Sequence, residues 1–406
     1  MFDTLVHAGA LPRMATKTSL LRYAHPFFTP TPPVDRQRIT AMGGQRMSDF
    51  IHSAMGSIPA PLRTPVMDLE EIIGKPGVKE IQDAGEIRLH ATGDTGRPQA
   101  DNKHQEEVSD AMASDFDPAT NGRNPAFFFH LGDVIYGPGK ENLYRDEFYR
   151  PYMKYPGKIL AIAGNHDGET FAGADPKPLR AFLTNFCATS AVVPPIAAGA
   201  RIFRQTMTQP GVFYLLKAPF MKIVALYSNI AEGPGDLLGT DGDTKQIKWL
   251  ETTLRDLKKE KDQGDDRAIV VATHHPGFSE GGHSGSPLML KQIDAACQQA
   301  GILPHALLAG HSHNYQRYTR DVRIGALRGQ IPNIVAGCGG HNDSSVKEAT
   351  GQKLQDATFE KSKKGFGYLT LTASKTTLTI EMIDTTDGGK RPFDKVTVDL
   401  AKHTVK

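Results

Sequence analysis

From Glu86 onward, short apolar runs alternate with longer amphipathic stretches, a rhythm that residues 1–84 lack. Ile87, Leu89 and Ala91 alternate with polar neighbours, the pattern of a half-buried strand. Residues 126–131, 158–163, 268–272 and 305–309 are compact apolar runs that read as strands. Between them, residues 103–113, 142–154, 178–186, 244–261 and 287–299 read as helices. This alternation predicts an α/β domain with substantial parallel pairing. Residues 212–217 and 220–227 predict a hairpin around Pro219, and 368–372, 377–383 and 396–400 predict antiparallel strands. The sum is a mixed two-sheet core flanked by helices. No period of about 20–50 residues repeats, which argues against a solenoid or propeller.

Residues 1–84 are rich in Pro, Thr and Met, with breaks such as Phe28-Thr29-Pro30-Thr31-Pro32-Pro33. Short helices are expected at 45–55 and 69–73, separated by prolines at 59, 61 and 65. The segment reads as an N-terminal extension that packs on a core or stays partly flexible. Its function is not legible in the residues.

Each predicted strand that matters ends in a polar motif. They are Gly93-Asp94-Thr95-Gly96, Gly132-Asp133-Val134-Ile135-Tyr136, Gly164-Asn165-His166-Asp167, Thr273-His274-His275-Pro276 and Gly310-His311-Ser312-His313. In open α/β sheets, sites form outside the carboxyl ends of strands, so segments distant in sequence should converge on one rim. A binuclear metal site needs a ligand that bridges, and a carboxylate does so with two oxygens, while imidazole and amide groups complete the shells. Asp94, Asp133, Asn165, His274, His311 and His313 fit those roles. Tyr136 is the unusual member: a phenolate is a hard anionic ligand suited to a trivalent ion, and it points toward iron.

The set resembles the calcineurin-like metallophosphoesterases, and within them the purple acid phosphatase branch. That branch carries D-x-G, G-D-x-x-Y, G-N-H-[DE], a histidine at a strand end, and G-H-x-H. The resemblance spans about residue 86 to residue 400. It also takes in His311 to Arg317, Gln246 to Leu250 and the turn Gly337-Cys338-Gly339-Gly340. It implies a two-sheet sandwich flanked by helices, in four α/β/β/α layers, with residues 85–406 as the catalytic domain. It also implies that one metal takes Asp94, Tyr136 and His313 and shares Asp133. The other would share Asp133 and take Asn165, His274 and His311. The pair would be Fe(III) with Fe(II), Zn(II) or Mn(II).

The implied activity is hydrolysis of a small phosphate ester, a monoester first, by a metal-bound hydroxide attacking phosphorus in line. His166 is the candidate for a phosphate contact or a proton donor to the leaving alcohol, with Asp167 holding its ring. His283, in Gly281-Gly282-His283-Ser284-Gly285, follows His274 in what reads as a flexible glycine loop. The plant-type members place phosphate-facing histidines in the corresponding loop. His130, His275, His341 and Cys338 read as packing residues rather than ligands, and Tyr315 and Arg317 as shaping the loop behind His313.

Three rival readings stand beside this one. A phosphodiesterase on the same scaffold is one, although Gly96 stands where cyclic-nucleotide members carry a histidine. A Ser/Thr protein phosphatase conflicts with Gly96 and with Tyr136-Gly137-Pro138. A decayed, non-catalytic binding module would have lost ligands, and none is missing.

Composition changes the picture little. Hydrophobic residues make up 39% and charged residues 23%, ordinary for a globular enzyme. A formal charge of +2 gives no reason to expect nucleic acid or a membrane surface as partner. The lysine cluster at 257–261 reads as a solvated helix face. Three cysteines do not make a disulfide framework and favour a reducing compartment. No apolar run approaches the roughly 20 residues of a membrane helix. Residues 1–28 show no continuous apolar core of signal-peptide length, so the expected compartment is the cytoplasm.

Overall fold

A computed structural model describes residues 56–96, 102–136, 139–168, 178–199, 202–231 and 233–406. The helix expected at 45–55 lies outside them. The early strands are β1 (Val66–Asp68), β2 (Glu86–Thr92), β3 (Pro125–His130), β4 (Lys158–Ala161), β5 (Tyr214–Ala218), β6 (Met221–Ala225) and β7 (Ala268–Ala272). The middle ones are β8 (Glu280–Gly281), β9 (His283–Ser284), β10 (Ala306–Ala309), β11 (Tyr315–Ile324), β12 (Leu327–Ala336) and β13 (Lys353–Leu354). The last are β14 (Ala357–Lys363), β15 (Gly367–Ser374), β16 (Thr377–Asp384), β17 (Arg391–Asp399) and β18 (Thr404–Val405). The helices are α1 (Glu70–Ala84), α2 (Lys103–Ala113), α3 (Asn165–Gly168), α4 (Arg180–Phe186), α5 (Lys245–Asp262) and α6 (Pro287–Ala300).

Two mixed sheets form the core, as the apolar pattern predicts. One has nine strands in the order β1-β5-β6-β7-β10-β12-β11-β14-β13, and the other has seven in the order β18-β17-β16-β15-β2-β3-β4. Strands β6, β7, β10 and β12 run parallel, as do β2, β3 and β4. Strand β7 shows how the layers are built. Ala268, Val270 and Ala272 face the large core shared by both sheets, while Ile269 and Val271 face α5 and α6. A strand buried on both faces needs a continuous apolar run, which is what residues 268–272 are. Helix α5 buries Leu250, Leu254 and Leu257, one face of a 3.6-residue period, in that second core. Strand β16 buries Leu378, Ile380 and Met382 and leaves alternate residues half-exposed, as befits a sheet with one wet face.

Three features depart from the sequence pattern. The helix expected at 142–154 is instead a 3₁₀ turn, Glu141–Leu143, followed by a π-helical turn, Arg145–Tyr149. The Arg150 amide donates to the Arg145 carbonyl at 2.8 Å, one residue wider than an α-turn. The long hairpin of β11 and β12 was not expected, because Tyr315–Ile324 mixes arginines with tyrosines rather than forming an apolar run. Finally, residues 66–84 are built into the fold. Strand β1 pairs with β5 in parallel, and the expected helix at 69–73 breaks at Gly74 (φ 71°, ψ 166°) before a second helical stretch, counted with it as α1, runs on to Ala84, with Ile73 and Ile81 fully buried.

Candidate metal centre

The two sheets each supply half of one site. Asp94 follows β2, Asp133 follows β3, and Asn165 opens α3 four residues past the end of β4, so three adjacent parallel strands of the seven-stranded sheet deliver them. His274 follows β7, and His311 and His313 follow β10, two neighbours in the nine-stranded sheet. Main-chain bonds stitch the sheets together at this edge. The Gly93 amide donates to the Ala336 carbonyl at 2.9 Å, the Gly339 amide to Gly93 at 2.9 Å, and the His341 amide to Asp94 at 3.0 Å.

Asp94, Asp133 and His311 all take left-handed backbone angles, with φ of 59°, 52° and 67°. Non-glycine residues held there cost about 1–3 kcal/mol each, and such strain clusters where a side chain must be aimed. The strands end, the chain turns sharply, and each side chain is thrown inward. Gly164 completes the fit: a Cβ at this position would lie 2.1 Å from Asp133 Oδ1.

Two groups of acceptor atoms result. In the first, the Tyr136 hydroxyl donates to Asp94 Oδ1 at 3.1 Å and lies 3.0 Å from His313 Nε2, which is itself 3.5 Å from Asp94 Oδ1. In the second, Asn165 Oδ1 lies 3.1 Å from both His274 Nε2 and His311 Nδ1, and Asp133 Oδ2 lies 3.3 Å from His274 Nε2. Candidate ligand atoms of Asp133, His274 and His311 all fall within 4.8 Å of one another.

The chemistry of the second group fits a cation. His274 Nδ1 donates to the Leu131 carbonyl at 2.9 Å, so a neutral ring turns the Nε2 lone pair toward the oxygens of Asn165 and Asp133. Acceptor facing acceptor is repulsive unless positive charge lies between. Protonation is one remedy. Burial pushes His274 down, but the carboxylates of Asp133 and Asp94 win and raise it to about 9. Asp133 mirrors this: burial raises it, while His274 and His166 hold it below the carboxylate range. His311 goes the other way, pushed down by burial and by the imidazoles of His275, His283, His274 and His313. Its Nε2 is buried with no hydrogen-bond partner. Burial, then Asp94 and Asp133, push the Tyr136 phenol well above its usual 10.

The remaining expected residues are placed as follows. His166 is half-buried, its ring 4.5 Å from that of Tyr136, and its amide donates to Asp133 Oδ1 at 3.0 Å. Asp167 is buried and accepts backbone N–H groups from Gly164 (2.8 Å), Val134 (3.2 Å) and Ile135 (3.3 Å), so its carboxylate ties the second and third motifs together. His283 is half-buried, with its ring 4.2 Å from His311 and 5.7 Å from His313. His130 bonds Thr95 Oγ1 at 2.8 Å, and His275 bonds Ser228 Oγ at 2.7 Å and the Ala231 carbonyl at 2.8 Å, both packing roles. Tyr315 and Arg317 both bond Asp394 behind the loop.

His341, expected as a packing residue, packs on the site itself: it lies flat on Tyr136, with rings 3.3 Å apart and 7° from parallel, while its Nδ1 meets the Gly96 carbonyl. Glu147 escaped the sequence reading: fully buried in the π-turn, it accepts the Tyr136 amide at 2.7 Å. A glutamate on the expected apolar side of residues 142–154 was the available signal.

Comparison with known proteins identifies the family. The calcineurin-like phosphoesterase family pattern matches residues 87–315, more than half of the chain, and the chain belongs to that family. A second pattern, iron/zinc purple acid phosphatase-like protein C, matches residues 331–391. Tartrate-resistant acid phosphatase type 5 of Oryctolagus cuniculus is 27% identical over 138 residues, which is 33% of this chain and 38% of that protein. The chain thus matches well under half the length of that relative. Among solved structures, the GAP50 anchor in the inner membrane complex of Plasmodium shares the fold at a TM-score of 0.50 and 13% identity, covering 76% of this chain and 89% of that one. PhoD does so at 0.50 and 12% identity, covering 86% and 73%. Among the described residues, no helix is long and apolar enough to cross a membrane.

Proposed function

We propose that the protein is a binuclear metal-dependent phosphomonoesterase. The observation that carries this reading is the meeting, at Asn165 Oδ1, of acceptor atoms from two different sheets, with the Asp133 carboxylate beside His274 of that group and also in contact with Tyr136 of the Asp94–Tyr136–His313 group. One cation would be held by Asp94, Tyr136, His313 and Asp133, the other by Asp133, Asn165, His274 and His311. Iron at the tyrosine position, with iron, zinc or manganese at the other, suits the donor set. When bound, the pair supplies Lewis acidity and an activated water at neutral pH.

The chain's own residues do the rest. The Leu131 carbonyl holds the His274 tautomer, the kind of outer partner that orients metal-ligating imidazoles. The half-buried imidazoles of His166 and His283 orient phosphoryl oxygens. His166 Nε2 gives a proton to the leaving alkoxide. Asp167 acts through the backbone, fixing Gly164 against Val134 and Ile135 so that Asp133 and Asn165 stay in register. The proposed catalytic domain, expected at residues 85–406, also takes in residues 66–84, whose strand β1 belongs to the nine-stranded sheet.

The test is hydrolysis of a chromogenic phosphomonoester beside the matching diester, with protein reconstituted with iron plus zinc or manganese across acid to alkaline pH. Preference for the monoester is expected. Preference for the diester would replace the reading with a phosphodiesterase, and a folded protein that binds no stoichiometric metal would point to a non-catalytic module.

A further inference from the structure

The glycine-flanked segment that carries His283 reads as a flexible loop, yet it is folded and tied down. Strands β8 and β9 pair in antiparallel fashion, and Gly281 bridges to Val346. The Glu280 amide donates to Gln316 Oε1 at 2.8 Å, and the Lys347 amide donates to the Glu280 carbonyl at 3.0 Å. Ser312, the residue between His311 and His313, is fully buried. Its hydroxyl accepts the His283 amide at 3.2 Å, donates to the His283 carbonyl at 3.2 Å, and lies 3.0 Å from Ser279 Oγ. A hydroxyl has one hydrogen, and Ser279 spends its own on the Gly281 carbonyl at 2.9 Å, so the Ser312 hydrogen is shared between the His283 carbonyl and Ser279 Oγ while a Ser312 lone pair takes the His283 amide. Gly282 permits the approach. Its φ is +74°, and a Cβ there would lie 2.7 Å from Ser344 Oγ and 3.3 Å from Ser312.

We infer that Ser312 is a positioning residue that fixes His283 over the site through both of its main-chain polar groups, so that its imidazole meets a phosphoryl oxygen of the substrate. The inference rests on the phosphatase reading above. The motif residue between two proposed ligands thereby serves a third histidine rather than the metals. Ser312→Ala keeps the local backbone and nearly the same volume but releases His283.

The experiment compares wild type, Ser312→Ala, His283→Ala and the double variant as full-length, metal-loaded protein, scoring metal content, kcat, KM for the monoester and inhibition by inorganic phosphate. Ser312→Ala is expected to keep its metal and to lose about ten- to a hundredfold in kcat/KM, the scale of losing an orienting partner. It should weaken phosphate inhibition alongside, and the double variant should be no worse than His283→Ala. Losses that multiply in the double variant, or activity that falls only in step with metal content, would overturn the inference. So would His283→Ala with wild-type kcat/KM, a result that stands even if the Ser312 variant does not fold. A wild-type protein inert toward every phosphate ester would end the phosphatase reading itself. An active wild type with an unmoved Ser312→Ala ends only this inference.

Discussion

Asp167 offers a prediction whose size follows from the geometry. Its buried carboxylate accepts three backbone N–H groups, a short bond from Gly164 at 2.8 Å and longer ones from Val134 and Ile135 at 3.2 and 3.3 Å. Asp167→Ala strands all three donors away from water. Counting about 2 kcal/mol for the short bond and about 1 for each long one gives a loss of about 4 kcal/mol. Against this, the variant relieves a repulsion. Burial, then the neighbouring Asp133 charge, push the Asp167 carboxyl up to about 7. An offset on the order of 1 kcal/mol leaves a net loss of about 3 kcal/mol. Asp167→Asn separates the two effects. It keeps one acceptor oxygen where Gly164 and Val134 donate, gives up only the Ile135 bond and also loses the charge, so its net cost should be about 1 kcal/mol or less. The assay is urea unfolding of metal-free protein near neutral pH, read by near-UV circular dichroism, with unchanged slope required before midpoints are compared. Equal losses for the two variants, or an Ala variant within about 1 kcal/mol of wild type, would refute the hydrogen-bond account.

Other expectations follow from the same structure. Asp133→Asn, His274→Ala and His311→Ala should each abolish hydrolysis and lower bound metal while near-UV dichroism stays native; full activity in any of them removes that residue from the site. Tyr136→Phe should bleach any purple or pink colour of the iron-loaded protein and weaken the iron site, and unchanged colour would sink the phenolate assignment. Asp115 makes a pH prediction away from the metals. Burial raises its carboxyl, but His90, Lys390 and Tyr368 outweigh it and lower it from 3.8 to about 2. A folded value below the unfolded one stabilises above pH 3.8 and is lost as pH falls toward 2. The Asp115 carboxylate is partly solvated, so the slope is worth about 1–2 kcal/mol, and Asp115→Asn should remove it from acid unfolding curves of the metal-free protein.

What the sequence determined by itself is local. Residues 268–272 and 306–309 are apolar without interruption, and that alone marks strands buried on both faces. The polar motifs stand immediately after such runs, and the rule that sites form at strand carboxyl ends is enough to bring Asp94, Asp133, Asn165, His274, His311 and His313 together. Local pattern failed where its signal was mixed. The arginines and tyrosines of Tyr315–Ile324 hid a ten-residue strand, and a helical period in 142–154 hid the π-turn that buries Glu147.

Only the tertiary structure decided that the rim belongs to two sheets, with carboxylates and the amide from one and imidazoles from the other. It also decided that His341 covers Tyr136 and that Ser312 holds His283. These contacts join segments far apart in the chain, 205 residues in the first case, and no periodicity encodes them. They follow from the order in which strands pair and from the shared burial of both sheets. Those are properties of the whole chain, and they reach each residue only through its neighbours in space.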